Sequence, residues 1–163
     1  MKLRAYERED SPIIAKWIRT EEELYKWSAD RINIFPLGDY DLDDHYADRD
    51  SRFIPLTAVD DDGKVVGHFF IRGFEDDDKR ARFGFVIVDP DIRGKGYGRE
   101  MLRLGIEYVK ENLPATRIDL GVFENNPAAK KCYESLGFTE YQRRDCEMEI
   151  GNWVCIDLEI KNF

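Results

Sequence analysis

The chain has 163 residues, of which 42% are hydrophobic and 13% aromatic, and a formal net charge of −9. That length suits one domain spanning 1–163 around a single core, and the apolar content supports a packed globule over a disordered chain. The acidic balance argues against a nucleic-acid surface, and no apolar run reaches the ~18 residues of a membrane span.

Met1-Lys2-Leu3-Arg4-Ala5-Tyr6-Glu7 lacks the apolar stretch of a secretory signal, so the cytoplasm is the default compartment. Cys132, Cys146 and Cys155 are odd in number and lack C-x-x-C spacing. They read as reduced thiols rather than a disulfide framework or zinc site, and no metal is expected.

Leu3 to Tyr6 reads as a short first strand. Ser11-Pro12 is a helix start, an N-cap followed by proline at the first helical position. Ile13, Ile14, Trp17 and Ile18 then recur at helical spacing. Thr20-Glu21-Glu22-Glu23 is a capping box opening a second short helix, with Leu24 and Trp27 inward. Between 30 and 52, Asp39, Asp41, Asp43, Asp44, Asp48 and Asp50 resemble a calcium loop. Asp44 stands where such a loop needs glycine and Asp50 where it needs a bidentate glutamate, so an exposed acidic helix is the expectation.

From 53 the pattern turns to β structure. Apolar runs at 53–59 and 65–71 flank Asp60 to Lys64, where Asp62-Gly63 fits a two-residue hairpin with positive φ at both turn positions. A third antiparallel strand follows over 81–88, in which Gly84 marks a bulge or a close approach by ligand. Met101, Leu102, Leu104, Gly105, Ile106, Tyr108 and Val109 form the apolar face of a long helix stopping before Pro114. Ile118, Leu120 and Val122 alternate as the next strand. Asn126-Pro127 opens another helix and Gly137 ends it as the residue beyond the C-cap. Final strands around 138–149 and 153–160 join through Gly151-Asn152. The order describes a mixed α/β domain, mainly antiparallel, with one strand–helix–strand unit.

That unit carries the chemistry. Val86, Ile87 and Val88 end at Asp89-Pro90, and a basic loop holding Gly94, Gly96 and Gly98 opens directly into the long helix. Alternating glycines let backbone N–H groups approach a ligand without Cβ clashes, and the helix start adds unpaired amides and a positive dipole end. The combination is a diphosphate cradle. It is not a Walker A loop, and its G-x-G-x-G spacing departs from the dinucleotide fingerprint. Arg93, Lys95, Arg99 and Arg103 cluster there with only Glu100 against them, which suggests an anion pocket.

The loop matches R-x-x-G-x-G on Arg93, Gly96 and Gly98. Further along, N-x-x-A-x-x-x-Y-x-x-x-G-F falls on Asn126, Ala129, Tyr133, Gly137 and Phe138. On these two blocks, which span 86–138, the chain resembles the GNAT superfamily of acetyl-CoA-dependent N-acetyltransferases. The resemblance implies a mostly antiparallel central sheet of about six to seven strands flanked by about four helices. It also implies that Arg93, Gly94, Lys95, Gly96, Tyr97, Gly98 and Arg99 hold the coenzyme A pyrophosphate. The pantetheine arm would run along the main chain of Val86, Ile87 and Val88, where a strand amide would polarise the thioester carbonyl. Tyr133 takes the position of the general acid that protonates the leaving thiolate, and Asn126 that of a cofactor-contacting asparagine. Lys130 and Lys131 are within sequence reach of a 3′-phosphate or form a solvated face. Trp17, Tyr25 and Trp27 fall on the early helices that line acceptor pockets in the family, with core packing the first expectation for each.

The general base departs from the pattern. Members that modify ribosomal-protein N-termini carry a glutamate on the strand before Asn126, and the matching position here is Gly121. Glu124 and Asp89 lie nearby, and deprotonation through water is the other route. The expected activity is transfer of acetyl from acetyl-CoA to a primary amine by direct attack in a ternary complex. The alternative is a non-catalytic acyl-CoA-binding sensor. The partners are acetyl-CoA and an amine, with neither nucleic acid nor membrane, as a monomer or homodimer. Acidic runs at 39–50, 60–62 and 75–78 offer an attraction to a cationic acceptor such as a polyamine, an aminoglycoside or a basic peptide end, though solubility accounts for the same charge.

Overall fold

The computed structural model describes residues 1–163. Its seven strands are β1 (Lys2–Ala5), β2 (Phe53–Val59), β3 (Val65–Gly73), β4 (Arg80–Val88), β5 (Arg117–Phe123), β6 (Thr139–Met148) and β7 (Gly151–Lys161). They form one sheet in the order β1-β2-β3-β4-β5-β7-β6, with only β4 and β5 parallel. The helices are α1 (Asp10–Ala15), α2 (Glu21–Ser28), α3 (Asp41–Tyr46), α4 (Tyr97–Asn112) and α5 (Pro127–Ser135). None is long and apolar enough to cross a membrane.

Two apolar clusters cover the sheet. One holds Phe69, Ile71, Phe83, Met101, Leu102, Val109, Leu120 and Tyr133, from the strands and from α4 and α5. The other holds Ile14, Leu24, Leu42 and Tyr46 from the early helices and Trp17 from the turn after α1, with Phe70, Phe85 and Ile87 from the sheet. Helix α1 ends at Ala15, short of the expected run to Ile18. Strand β3 alternates as period two requires, sending Phe69 and Ile71 to one cluster and Phe70 to the other. Strand β4 does not. Ala81 and Phe83 join the first cluster, whereas Phe85 and Ile87 join the second. The switch is a bulge: the β3–β4 register slips between His68 and Phe70, and Phe85 adopts φ +52°. One extra residue there turns every later side chain to the opposite face. Gly84 precedes the bulge, and a Cβ on it would stand 2.1 Å from Phe70 Cζ. The glycine lets that aromatic ring lie across the strand.

Three local expectations are corrected. Helix α1 begins at Asp10, not at Ser11-Pro12, because the Asp10 carboxylate is the anchor. It accepts from the Glu7 amide at 2.9 Å, from Thr57 Oγ1 at 2.7 Å and from both Arg4 amino groups at 2.8 and 2.7 Å. These bonds hold its pKa below the usual carboxylate range although burial pushes it up. In the β2–β3 hairpin only Gly63 has positive φ. The Asp60 carboxylate accepts from the Asp62 and Lys64 amides, both at 2.9 Å, which favours a longer loop over a two-residue turn. The β6–β7 hairpin turns at Glu149-Ile150, so Gly151 and Asn152 already belong to β7.

The block around Tyr133 is a helix ending. Gly137 sits at φ +100°, its amide donates to Glu134 O at 3.0 Å, and the Phe138 amide donates to Tyr133 O at 3.2 Å. This is a Schellman motif, with the Tyr133 and Phe138 rings 6.5 Å apart as its apolar contact. Gly137→Ala is expected to cost about 1–2 kcal/mol of left-handed strain, a fall of about 2–8 °C in melting temperature read by calorimetry.

Candidate functional site

The glycine loop closes off β4 through a short 3₁₀ turn at Pro90–Ile92, which the Asp89 carboxylate caps by accepting the Asp91 amide at 2.9 Å. Gly94 and Gly96 both take the left-handed conformation, at φ +78° and +85°. A Cβ on either would meet nothing within 4 Å, so the loop borders open space. Gly96 is the N-cap of α4, and the first helical bond runs from the Glu100 amide to Gly96 O at 3.0 Å. The amides of Tyr97, Gly98 and Arg99 therefore have no acceptor within the helix. A Cβ on Gly98 would lie 3.5 Å from Val88 Cγ2 and 3.9 Å from Cys132 Sγ. The loop mouth thus sits where the end of β4 meets α5.

Arg103 is engaged by Glu100 at 2.7 Å and by Glu107 at 2.5 Å, which removes it from the expected basic cluster. Arg93, Lys95 and Arg99 remain exposed around the loop. Lys130 is held by Glu134 at 2.8 Å, while Lys131 is exposed. A groove of about 370 Å³ between α4 and α5 is bordered by Arg99, Ile106 and Leu136.

Tyr133 is 6% exposed and packed in the core, and burial pushes its phenol above the ordinary value. Cys132 beside it is half-buried, and burial raises its thiol too. Asn126 occupies the N-cap position of α5, yet its side chain makes no capping bond, which leaves its amide free.

The second part of the site is a split in the sheet. Strands β4 and β5 pair only from Arg80 to Arg82 against Arg117 to Asp119 and then part. A cavity of about 510 Å³ fills the gap, a size typical of small-molecule sites. Gly84 and Phe85 line one wall, Gly121 to Phe123 the other, with Trp27 and Arg31 from α2 and its following turn, and Arg144, Cys146, Glu147 and Met148 from β6. Trp27 stacks on Phe85 at 4.6 Å and its Nε1–H donates to Phe85 O at 2.9 Å. Of the early aromatics only Trp27 reaches this cavity; Trp17 and Tyr25 are buried in packing.

No unpaired carboxylate stands at the position of the missing glutamate. A Cβ on Gly121 would lie 3.0 Å from Arg82 Nη2 and 3.2 Å from Asp157 Oδ1. Arg82 crosses the gap to Asp119 at 2.8 Å and Asp157 at 3.3 Å, Arg80 joins Asp119 at 2.7 Å, and Arg144 joins Asp157 at 2.7 Å. The space is therefore closed by the Arg82 guanidinium, the Cys155 thiol at 3.1 Å and the Asp157 carboxylate, which is itself tied up in ion pairs with Arg82 and Arg144. Glu124 faces Arg143 at 3.6 Å and Asp89 faces Lys64 at 3.5 Å, and neither lines the cavity. The acidic runs at 39–50, 60–62 and 75–78 also lie outside its lining. Sequence reasoning did not single out Arg72, Arg82, Arg144 or Phe70, all in the wall. The one local signal was a glycine inside each of two apolar strands, Gly84 and Gly121.

Comparison with known proteins agrees with this geometry. The model of the acetyltransferase (GNAT) family matches residues 15–138. Over 83 residues the chain is 34% identical to spermine/spermidine N(1)-acetyltransferase of Bacillus subtilis, covering 47% of this chain and 54% of that protein. Over 89 residues it is 35% identical to mycothiol acetyltransferase of Salinispora tropica, covering 53% of this chain and 29% of that protein. The matches thus span about half or less of those relatives. In fold it resembles the spermidine N-acetyltransferase from Vibrio cholerae solved in complex with CoA and spermine. The TM-score is 0.81 at 22% identity, over 98% of this chain and 94% of that one. With the family model covering both sequence blocks and the helix and strand between them, the chain belongs to the acetyltransferase (GNAT) family.

Proposed function

We propose that this chain transfers the acetyl group of acetyl-CoA to a primary amine by direct attack in a ternary complex. The observation that carries the reading is the Gly94–Gly96 loop. Two left-handed glycines face open space at the head of α4, beside the gap between β4 and β5. In this reading the amides of Gly94 to Arg99 hold the pyrophosphate, each such bond to a charged group contributing about 1.5–3 kcal/mol. Arg93, Lys95 and Arg99 add charge around it, and the Asn126 amide is a further contact.

The pantetheine arm pairs with the main chain of Val86, Ile87 and Val88, just past the bulge. A strand amide there donates to the thioester oxygen as charge develops on it. The amine nitrogen forms the new C–N bond, the C–S bond breaks, and Tyr133 gives its proton to the departing thiolate. Burial keeps that phenol protonated until the thiolate appears, and the same apolar surroundings make a thiolate more basic, as they do at Cys132. With Gly121 leaving no base, the amine loses its proton to water. The arginines lining the cavity favour its neutral form, because like charges disfavour an ammonium.

A thiol-release assay with acetyl-CoA across polyamines, aminoglycosides and amino acids tests the proposal. Turnover on at least one class is expected. Coenzyme A binding with no turnover on any amine would instead mark a sensor of acyl-CoA.

A further inference from the structure

The arginines of the β4–β5 cavity are not balanced. Arg82 and Arg144 share the carboxylates of Asp119 and Asp157. Arg72 stands directly opposite Arg82 across the β3–β4 ladder, where two like charges destabilise a sheet. Its guanidinium lies 4.7 Å over the Phe74 ring, which Arg80 shares at 4.2 Å. The Arg72 Nε–H is buried with no acceptor, a donor that native structures rarely leave unmet. Burial, together with repulsion from Arg82, Arg31 and Arg80, pulls the Arg72 pKa down. Arg31 lines the same cavity and is exposed. Asp30 and Glu147 line it too, both exposed and neither paired with an arginine.

A bound oxyanion offsets the like charges of Arg72, Arg82 and Arg31, accepting from the Arg72 terminal amino groups, which are not buried as its Nε is. Above the arginines the wall turns aromatic, with Phe70, Phe83, Phe85, Trp27 and Phe123. From Arg82 to Phe85, beside the bulge, is three strand residues, a rise of about 10 Å.

Building on the acetyl-transfer reading, we propose that the acceptor is an amine that also carries an acidic group, a carboxylate or phosphoryl oxyanion. That group is held by Arg72 and Arg31 at the floor of the cavity, and an apolar spacer of about 10 Å reaches from it to the reacting nitrogen. The acceptor thus differs in kind from a polyamine, whose second charge would meet arginines.

Calorimetry on the coenzyme A-loaded protein tests this with ω-amino carboxylates of graded length, the matching alkylamines and spermidine. The carboxylates are expected to bind about tenfold to a hundredfold more tightly than alkylamines of equal length, as one charged hydrogen-bonding group implies, with an optimum near the 10 Å span. Arg72→Gln should abolish most of that preference and Arg72→Lys restore part of it. Arg31→Gln, on an exposed side chain, is the second variant should the first fold poorly. Alkylamines or spermidine binding as well as the carboxylates would overturn the proposal. So would a carboxylate preference that survives both glutamine variants. Preferential carboxylate binding without thiol release would sink acetyl transfer and leave the anion subsite standing.

Discussion

Gly96→Val is expected to raise the coenzyme A dissociation constant at least about a hundredfold, measured by calorimetry. Valine at φ +85° carries about 1–2 kcal/mol of strain, and relaxing it rotates the amides that open α4 away from the ligand. Losing one bond to a charged oxygen adds about 1.5–3 kcal/mol, and each 1.4 kcal/mol is tenfold in affinity. Gly63→Val is the matched control. Gly63 has φ +81°, meets nothing within 4 Å, and lies at the tip of the β2–β3 hairpin. Both variants should lose similar stability, and only the first should lose coenzyme A. Undiminished affinity in Gly96→Val would falsify the cradle.

What the sequence shows of this fold follows how local each cause is. Gly137, Asn126-Pro127 and the loop glycines act within one turn of backbone, so their spacing alone marks a helix end, a helix start and a cradle. The helix end and the helix start lie where they were expected, and Gly94 and Gly96 take the left-handed conformation at the head of α4. Ala81, Phe83, Phe85 and Ile87 show the opposite case. Every second residue of β4 is buried, a pattern that reads as one face of one strand. The bulge at Phe85 divides those four side chains between two cores; the alternation hides it, because both faces of this strand are covered, and Gly84 was its one sign in the sequence. The start of α1 also depended on distant partners, since Thr57 and Arg4 converge on Asp10 and outweigh the Ser-Pro signal.

The candidate site divides the same way. The glycine-loop half is one continuous segment and was legible. The cavity half is assembled from α2, β3, β4, β5, β6 and β7, with Arg82 and Asp157 separated by 75 residues. Gly121 looked like a missing base. In the folded chain it is the gap through which Arg82 reaches Asp157, a meaning that only the β4–β5 split supplies. Trp17 and Tyr25 pack in the core as expected while Trp27 lines the cavity, because helical spacing tells which residues turn inward but not whether they meet packing or a cavity.

Tyr133→Phe is expected to lower kcat by about 10²–10⁴, the usual contribution of a general acid, while the coenzyme A dissociation constant stays within about threefold. The two side chains are nearly isosteric, and the helix ending depends on the Tyr133 carbonyl rather than its hydroxyl, so the fold should be undisturbed. The pH profile adds a second readout. Burial moves the phenol above its ordinary value of 10.0, so the folded protein keeps this proton over a range where the unfolded chain has already lost it. The associated stability is fully present below pH 10 and falls as pH rises beyond it. As an acid in catalysis the group is therefore fully protonated from neutrality to about pH 10, and kcat should reach an alkaline plateau with no descending limb in that range. A descending limb below pH 10 that vanishes in Tyr133→Phe would mean that the proton leaves a phenol with a lowered pKa, contrary to its apolar surroundings. Wild-type kcat in the variant would remove Tyr133 from the chemistry altogether and leave it as the apolar partner of Phe138.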